Sequence, residues 1–233
     1  MKHLISLYVW VVGGLCFLVL CFKVLFLSFF FKPKTIDPLI KLSLRAWFRI
    51  IFIKVRTEGT EYIQPDKTYL FMPNHQSMFD IPVYEAYIPT FVRGVEALRQ
   101  FKWPVYGWII QRQGNIPINR KNLQASIQSA KIAEEHLRKG TSILIAPEGH
   151  RTLDGNLRPF KKLPFHLAKG AEVPIIPIGL SGVFELKRKG SWIVSPRTIT
   201  IKFGPPIDPE TISNLSVEDL RDLTRSKIQD LIE

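Results

Sequence analysis

The 233-residue chain reads as an α/β protein: a mixed central sheet flanked by helices, preceded by an N-terminal membrane-embedded helical segment. Three observations predict this class. From about residue 50 onward, short β-rich runs alternate with helical stretches, the pattern of strands interleaved with helices. Leu4 to Phe22 is 19 residues without a charge. As a helix that run would reach roughly 28 Å, close to the thickness of a hydrocarbon core. The 17 prolines are spread along the loops, and there is neither an internal repeat nor a low-complexity linker.

In chain order, the apolar run resumes after Lys23 as Val24–Phe31 and stops at Lys32-Pro33-Lys34. No small-residue cleavage pattern follows it, which argues against a removed leader. Lysines and arginines crowd its C-terminal side, placing that side in the cytoplasm. Cys16 and Cys21 lie in the run and read as small buried apolar groups. In residues 38–52, Lys41, Arg45 and Arg49 recur every four positions and share one helical stripe on an otherwise apolar helix. Such a helix suits the headgroup boundary of anionic lipid; the alternative is a core helix with a solvated stripe. The expected units are therefore a membrane helix or helical hairpin over 1–34, a surface helix leading into the first strand over 35–57, and an α/β body over 58–233. In the body, strands are expected at Ile51–Thr57, Thr68–Met72, Thr90–Arg93, Ile116–Ile118, Ser142–Ala146, Ile175–Ile178 and Thr198–Phe203. Lys121–Lys139 is a helix with apolar residues at spacings of three to four, stopped by Gly140. Ser216–Ile232 is a terminal helix with Ser216 as N-cap and Asp219 as its capping-box acid.

Charge locates the partner. The chain carries 32 Lys+Arg and 20 Asp+Glu, a net +12. Residues 1–57 hold nine of those bases and one acid, +8, leaving 32 − 9 = 23 bases and 20 − 1 = 19 acids, +4, for the rest. The excess coincides with the longest apolar runs, so the polyanion it addresses is a lipid surface. A nearly balanced body without interleaved aromatic and basic residues argues against nucleic acid. Two cysteines exclude a disulfide scaffold and a multi-cysteine zinc site.

Four blocks carry chemistry. Pro73-Asn74-His75-Gln76-Ser77-Met78-Phe79-Asp80 follows a strand directly, where α/β proteins build sites. On a regular helix, positions five apart are turned about 140° from each other. His75 and Asp80 would therefore meet only across a turn. There Asp80 would fix the imidazole tautomer and free the other ring nitrogen to take a hydroxyl proton. Gly114-Asn115-Ile116-Pro117-Ile118-Asn119-Arg120 ends a short strand in an arginine at the mouth of a helix, a place for phosphate oxygens. Ala146-Pro147-Glu148-Gly149-His150-Arg151 offers a tight turn and a second anion contact, with Arg158, Lys161 and Lys162 following. Val173-Pro174-Ile175-Ile176-Pro177-Ile178 reads as a buried strand forming an apolar wall.

In this order, the blocks N-H-Q-S-x-F-D, G-x-I-x-I-x-R, P-E-G-x-R and V-P-I-I-P-I resemble the glycerolipid acyltransferase family over about residues 45–207. The resemblance implies His75 as general base, Asp80 as its partner, and Arg120 and Arg151 as ligands of the acceptor's phosphate, with Glu148, Gly149 and His150 in the same loop. It implies a lysophospholipid acceptor, an acyl-CoA or acyl-carrier protein donor, an anionic membrane surface, no nucleic acid, and neither metal nor other cofactor. A bacterial inner membrane with the body on the cytoplasmic side is the expected location. Two departures stand out. His150 replaces the family's usual threonine, which bears on headgroup choice, and Leu163 replaces a glycine after Phe160-Lys161-Lys162. Arg93, Arg99 and Lys102 are the candidates for a further basic residue. The alternatives are a metal-dependent hydrolase using His75, Asp80, Glu148 and His150, and a non-catalytic basic membrane protein.

Overall fold

A computed structural model describes residues 1–233. Its helices are α1 (Lys2–Leu27), α2 (Pro33–Ile50), α3 (Asp80–Tyr87), α4 (Tyr106–Arg112), α5 (Leu123–Arg138), α6 (Leu163–Ala171), the single turn α7 (Val183–Leu186), α8 (Pro209–Asn214) and α9 (Val217–Ile232). Its strands are β1 (Lys54–Glu58), β2 (Leu70–Pro73), β3 (Val92–Ala97), β4 (Ile116–Ile118), β5 (Ser142–Leu144), β6 (Ile175–Ser181) and β7 (Thr198–Phe203). They form one seven-stranded sheet in the order β1-β7-β6-β2-β5-β3-β4. All pairs are parallel except β6 with β7, so the sheet is mixed, as the sequence predicts.

Period-two alternation decides which side of the sheet each residue faces. Tyr69 and Phe71 join a core shared with α1, α2 and α3, whereas Leu70 and Met72 join a second core under α5, α6 and α9. The central strands β2, β5 and β6 are buried runs because both faces are covered, whereas the edge strand β1 is largely exposed. Crossovers return the chain to the same edge, so the C-terminal ends of β2, β4, β5 and β6 open onto one side.

α9 crosses β6 at Gly179, where a Cβ would lie 2.4 Å from the Leu231 Cβ. Because the neighbouring contacts include Leu231 backbone, Gly179→Ala is expected to push α9 off the sheet at a cost of about 1–3 kcal/mol. Thermal melting should show a drop of several degrees, and an unchanged melt would show that α9 has room to shift.

Several strand bounds differ from the sequence reading. The first strand begins at Lys54 rather than Ile51, because Phe52 takes a left-handed conformation (φ 58°) that interrupts an extended run. The third runs over Val92–Ala97 instead of ending at Arg93. At α9, Ser216 Oγ accepts the Asp219 N–H at 3.0 Å, as expected of an N-cap, while the Asp219 carboxylate takes the serine hydroxyl.

The three sequence units are not separate in packing. α1, which contains a π-helical segment over Val9–Gly13, lies along the body instead of projecting from it. Near its start, Ser6 Oγ accepts the Val194 N–H at 3.0 Å and Trp10 Nε1 donates to the Trp192 carbonyl at 2.6 Å. At its end, Arg112 donates to Ser28 Oγ and to the Ser28 carbonyl, each at 2.7 Å. Midway, Trp47 Nε1 donates to the Gly13 carbonyl at 2.7 Å, and the same indole stacks on Phe79, the residue before Asp80. Cys21 is buried and Cys16 partly so. The outward face of α1, with Leu4, Leu7, Leu15, Val19, Phe22 and Phe26, is exposed and mostly apolar, Lys23 being its one charge past the first turn.

The basic stripe of α2 is only partly solvated, with Arg45 and Arg49 exposed. Lys41 is buried, paired with Asp37 at 2.6 Å and donating to the Thr90 carbonyl. Arg45 donates to the Ala86 carbonyl and lies over the Tyr87 ring. Only Arg49 is left without a partner at the surface. The stripe closes the seam between α2 and α3 because the carbonyls ending α3 need donors; the exposed residues of α2 include Leu39 and Leu42.

Candidate active site

The end of β2 is tied to β6 by Asn74, whose side chain accepts the Leu180 N–H at 2.8 Å and donates to the Leu180 carbonyl at 2.9 Å. Tyr84 on α3 donates to the Asn74 carbonyl at 2.6 Å. Residues 74–77 therefore leave the sheet as a fixed non-helical turn, and α3 begins only at Asp80. That turn brings together what helical spacing would separate. His75 Nδ1 lies 2.6 Å from Asp80 Oδ2. The fully buried Asp80 carboxylate also accepts the backbone N–H of Gln76 at 2.6 Å and of Ser77 at 2.9 Å. A carboxylate so placed accepts a hydrogen bond from Nδ1–H, leaving the Nε2 lone pair, which has no partner in the protein, free to take a proton.

The Glu148 carboxylate is buried. It is turned inward, where Oε1 accepts the His75 N–H at 2.6 Å and Oε2 the Arg158 N–H at 2.9 Å. Burial pushes its titration up from 4.5 to about 7; the two N–H bonds and the His75 charge oppose that rise, and the Asp80 charge adds to it. Glu148 thus holds the His75 loop to the 146–158 loop, and the Thr152 N–H on the His75 carbonyl at 2.9 Å holds it a second time. Gly149 has φ 71°, the left-handed geometry that makes this turn need glycine.

Cations from four loops gather over the same edge. Arg120, after β4, reaches solvent but is surrounded by enough protein that burial, then the neighbouring Arg99 charge, lowers its pKa, while Glu96 opposes. Of the three candidate basic residues, Arg99 is thus beside Arg120. Arg93 is committed elsewhere, with its guanidinium on His136 at 2.8 Å and beneath Gly114; no contact ties Lys102 to the site. Arg151 is partly exposed and lies close enough to Lys187 for its charge to lower that lysine, after burial. His150 is lowered by partial burial first, then by Arg120, Arg158, Lys189 and Lys161. Its imidazole is therefore held toward the neutral form, a hydrogen-bonding group among cations. Leu163, where a glycine was expected, opens α6 without a positive φ, so the change costs no backbone strain.

Sequence reasoning missed Lys187 and Lys189. They follow β6 and α7, and Ser77 Oγ donates to the Lys187 carbonyl at 2.7 Å, which places this loop against the His75 turn. The signal was the run Lys187-Arg188-Lys189-Gly190 shortly after a strand's C-terminal end. No three His, Cys, Asp or Glu side chains converge in a way that would hold a metal ion.

The arrangement is an oriented imidazole beside a field of arginines and lysines. It can take a proton from a neutral hydroxyl on a molecule whose anionic group is held nearby.

Comparison with known proteins finds relatives in both sequence and structure. The model of the Acyltransferase family matches residues 54–181, more than half of the chain. A 1-acyl-sn-glycerol-3-phosphate acyltransferase of Limnanthes douglasii is 33% identical over 168 residues, covering 72% of this chain and 59% of that protein. The alpha form from Mus musculus is 30% identical over 176 residues, covering 74% of this chain and 61% of that protein. The chain therefore matches about three-fifths of the length of these relatives. The crystal structure of the 1-acyl-sn-glycerophosphate acyltransferase PlsC from Thermotoga maritima shares the fold with a TM-score of 0.86 at 25% identity, covering 99% of this chain and 94% of that one. The matched motifs, the relatives and the shared fold establish that this chain belongs to the acyltransferase family.

Proposed function

We propose that the protein is a 1-acyl-sn-glycerol-3-phosphate acyltransferase. It moves a fatty acyl group from acyl-CoA or acyl-carrier protein to the sn-2 hydroxyl of lysophosphatidic acid, making phosphatidic acid. The observation that carries the mechanism is the 2.6 Å His75–Asp80 contact with Nε2 left free beside a cluster of cations. Nε2 takes the proton as the acceptor's hydroxyl oxygen attacks the thioester carbonyl. The tetrahedral intermediate collapses, the C–S bond breaks, and the imidazolium returns the proton to the departing thiolate. The attacking oxygen belongs to the substrate, so no acyl-enzyme forms, and no cofactor beyond the donor is needed.

Arg120 and Arg151 are assigned to the acceptor phosphate, with His150 as a neutral donor at its edge. Glu148 and Gly149 hold the loop rather than the ligand. The exposed face of α1 seats the body on a membrane, where acceptor and product both reside. A bacterial inner membrane, with the body on its cytoplasmic side, fits the lysines after the apolar run.

The test is to mix the full chain with acyl-CoA and lysophosphatidic acid and follow thiol release together with phosphatidic acid. Arg151→Ala is expected to raise KM for the acceptor by about 10–100-fold with a smaller change in kcat, the loss of one charge-assisted contact. Arg151→Lys should recover part of it, since lysine keeps the charge but not the fork. An unchanged acceptor KM in Arg151→Ala and Arg120→Ala would remove both from the phosphate site.

A further inference from the structure

At the opposite end of the sheet from His75, a recess of about 470 Å³ opens at the N-terminal ends of β3 and β5. Its charged lining is Lys32 and Lys34 at the start of α2, Asp66 and Lys67 between β1 and β2, Arg93 on β3, and Lys139 after α5. That is five cations against one acid. Lys139 is paired with Glu135, but Lys32, Lys34 and Lys67 have no ion pair. Arg93 Nε is buried without a hydrogen-bond partner. The first turn of α2 has no side-chain cap, so the positive end of an 18-residue helix adds to the same concavity. A concave site with this much uncompensated positive charge fits a phosphate-bearing anion.

The neighbouring residues favour a particular source of phosphate. Lys32 directly follows Phe29, Phe30 and Phe31, which are 64%, 68% and 51% exposed at the turn joining α1 to α2. Three exposed aromatic side chains need an apolar phase, and the anions found at the border of such a phase are lipid phosphates. We infer that this recess binds the headgroup phosphate of an anionic phospholipid, at a site separate from Arg120 and Arg151. Lipid bound there fixes the α1–α2 turn at anionic membrane and sets how the body sits on it. The inference rests on the membrane seating of α1 proposed above.

The experiment is flotation of the full chain with vesicles of phosphatidylcholine alone, or with about a third replaced by phosphatidylglycerol. The native protein is expected to prefer the anionic vesicles by about tenfold. In Lys34→Gln/Lys67→Gln the preference should fall to about twofold, with binding to neutral vesicles and acyl transfer in detergent unchanged. Lys131→Gln/Lys227→Gln removes the same charge elsewhere and should keep the full preference. If the double variant melts early, Lys67→Gln alone should lower the preference about threefold. A preference kept by the site variants, or lost equally in the control pair, would overturn the site. So would its abolition by millimolar inorganic phosphate, which would assign the recess to a free anion. So would an intact preference with turnover lost only toward acyl-carrier protein, which would assign it to an acidic donor. The neutral vesicles read the seating of α1 and the anionic ones read the recess, so the two readings fail separately.

Discussion

Replacing His75 with alanine is expected to lower kcat for acyl transfer by about 10²–10⁴-fold, the usual worth of a positioned general base. The fold should survive, because the loop is held by backbone groups that alanine retains: the 75 N–H on Glu148 and the 75 carbonyl under Thr152. Asp80→Asn should be at least as damaging for two reasons. An amide no longer selects the Nδ1–H tautomer, and its NH2 would face the N–H groups of Gln76 or Ser77 that the carboxylate now accepts. Asp80→Asn is therefore expected to lower both kcat and the melting temperature, whereas His75→Ala lowers kcat alone. A His75→Ala protein retaining activity within about tenfold of native would sink the general-base role.

The dyad shows what was legible in the sequence and what was not. His75 and Asp80 were identifiable because they follow an apolar strand and sit in a block of recognisable order. Their contact was not, since five-residue spacing only works if the backbone turns, and the turn is held by Asn74, Tyr84 and Leu180, the last of which is 106 positions away from Asn74. The sheet was legible as alternating runs, and its bounds failed where one residue such as Phe52 changes conformation. The α2 stripe shows a related limit. A Lys or Arg every four residues looks solvated or lipid-facing in one dimension, but here the partners of Lys41 and Arg45 are carbonyls near the end of α3. The direction of the Glu148 carboxylate was not legible, because composition cannot say whether a carboxylate meets a ligand or two buried N–H groups.

The same α2–α3 seam carries a mechanical link. Trp47 holds the α1 backbone at Gly13 and stacks on Phe79 beside Asp80, so α1 and the His75–Asp80 turn share one rigid contact. Its effect is to set the distance between the apolar face of α1 and the imidazole.

Glu148→Gln is expected to be the second-largest loss. An ionised carboxylate accepts both N–H groups, from His75 and Arg158, while a glutamine accepts with its oxygen and presents an NH2 to the other. One buried donor is then unsatisfied, at about 1–3 kcal/mol, and the His75 loop loses one of its two ties. The substitution also removes a negative charge near the imidazolium that forms when His75 takes the substrate proton. kcat should therefore fall by about 10–100-fold with acceptor KM little changed, the opposite split to Arg151→Ala. The pH dependence gives an independent reading. In the folded chain Glu148 titrates at about 7, against 4.5 as the ordinary value. The folded state holds this proton more tightly than the unfolded one, so its contribution is complete below 4.5 and is lost as pH rises toward 7. Native protein should lose stability across that window, and Glu148→Gln, having nothing to titrate there, should show a flatter profile. A glutamine variant with native kcat and the native pH slope would show that neither the bridge nor the buried charge governs the loop.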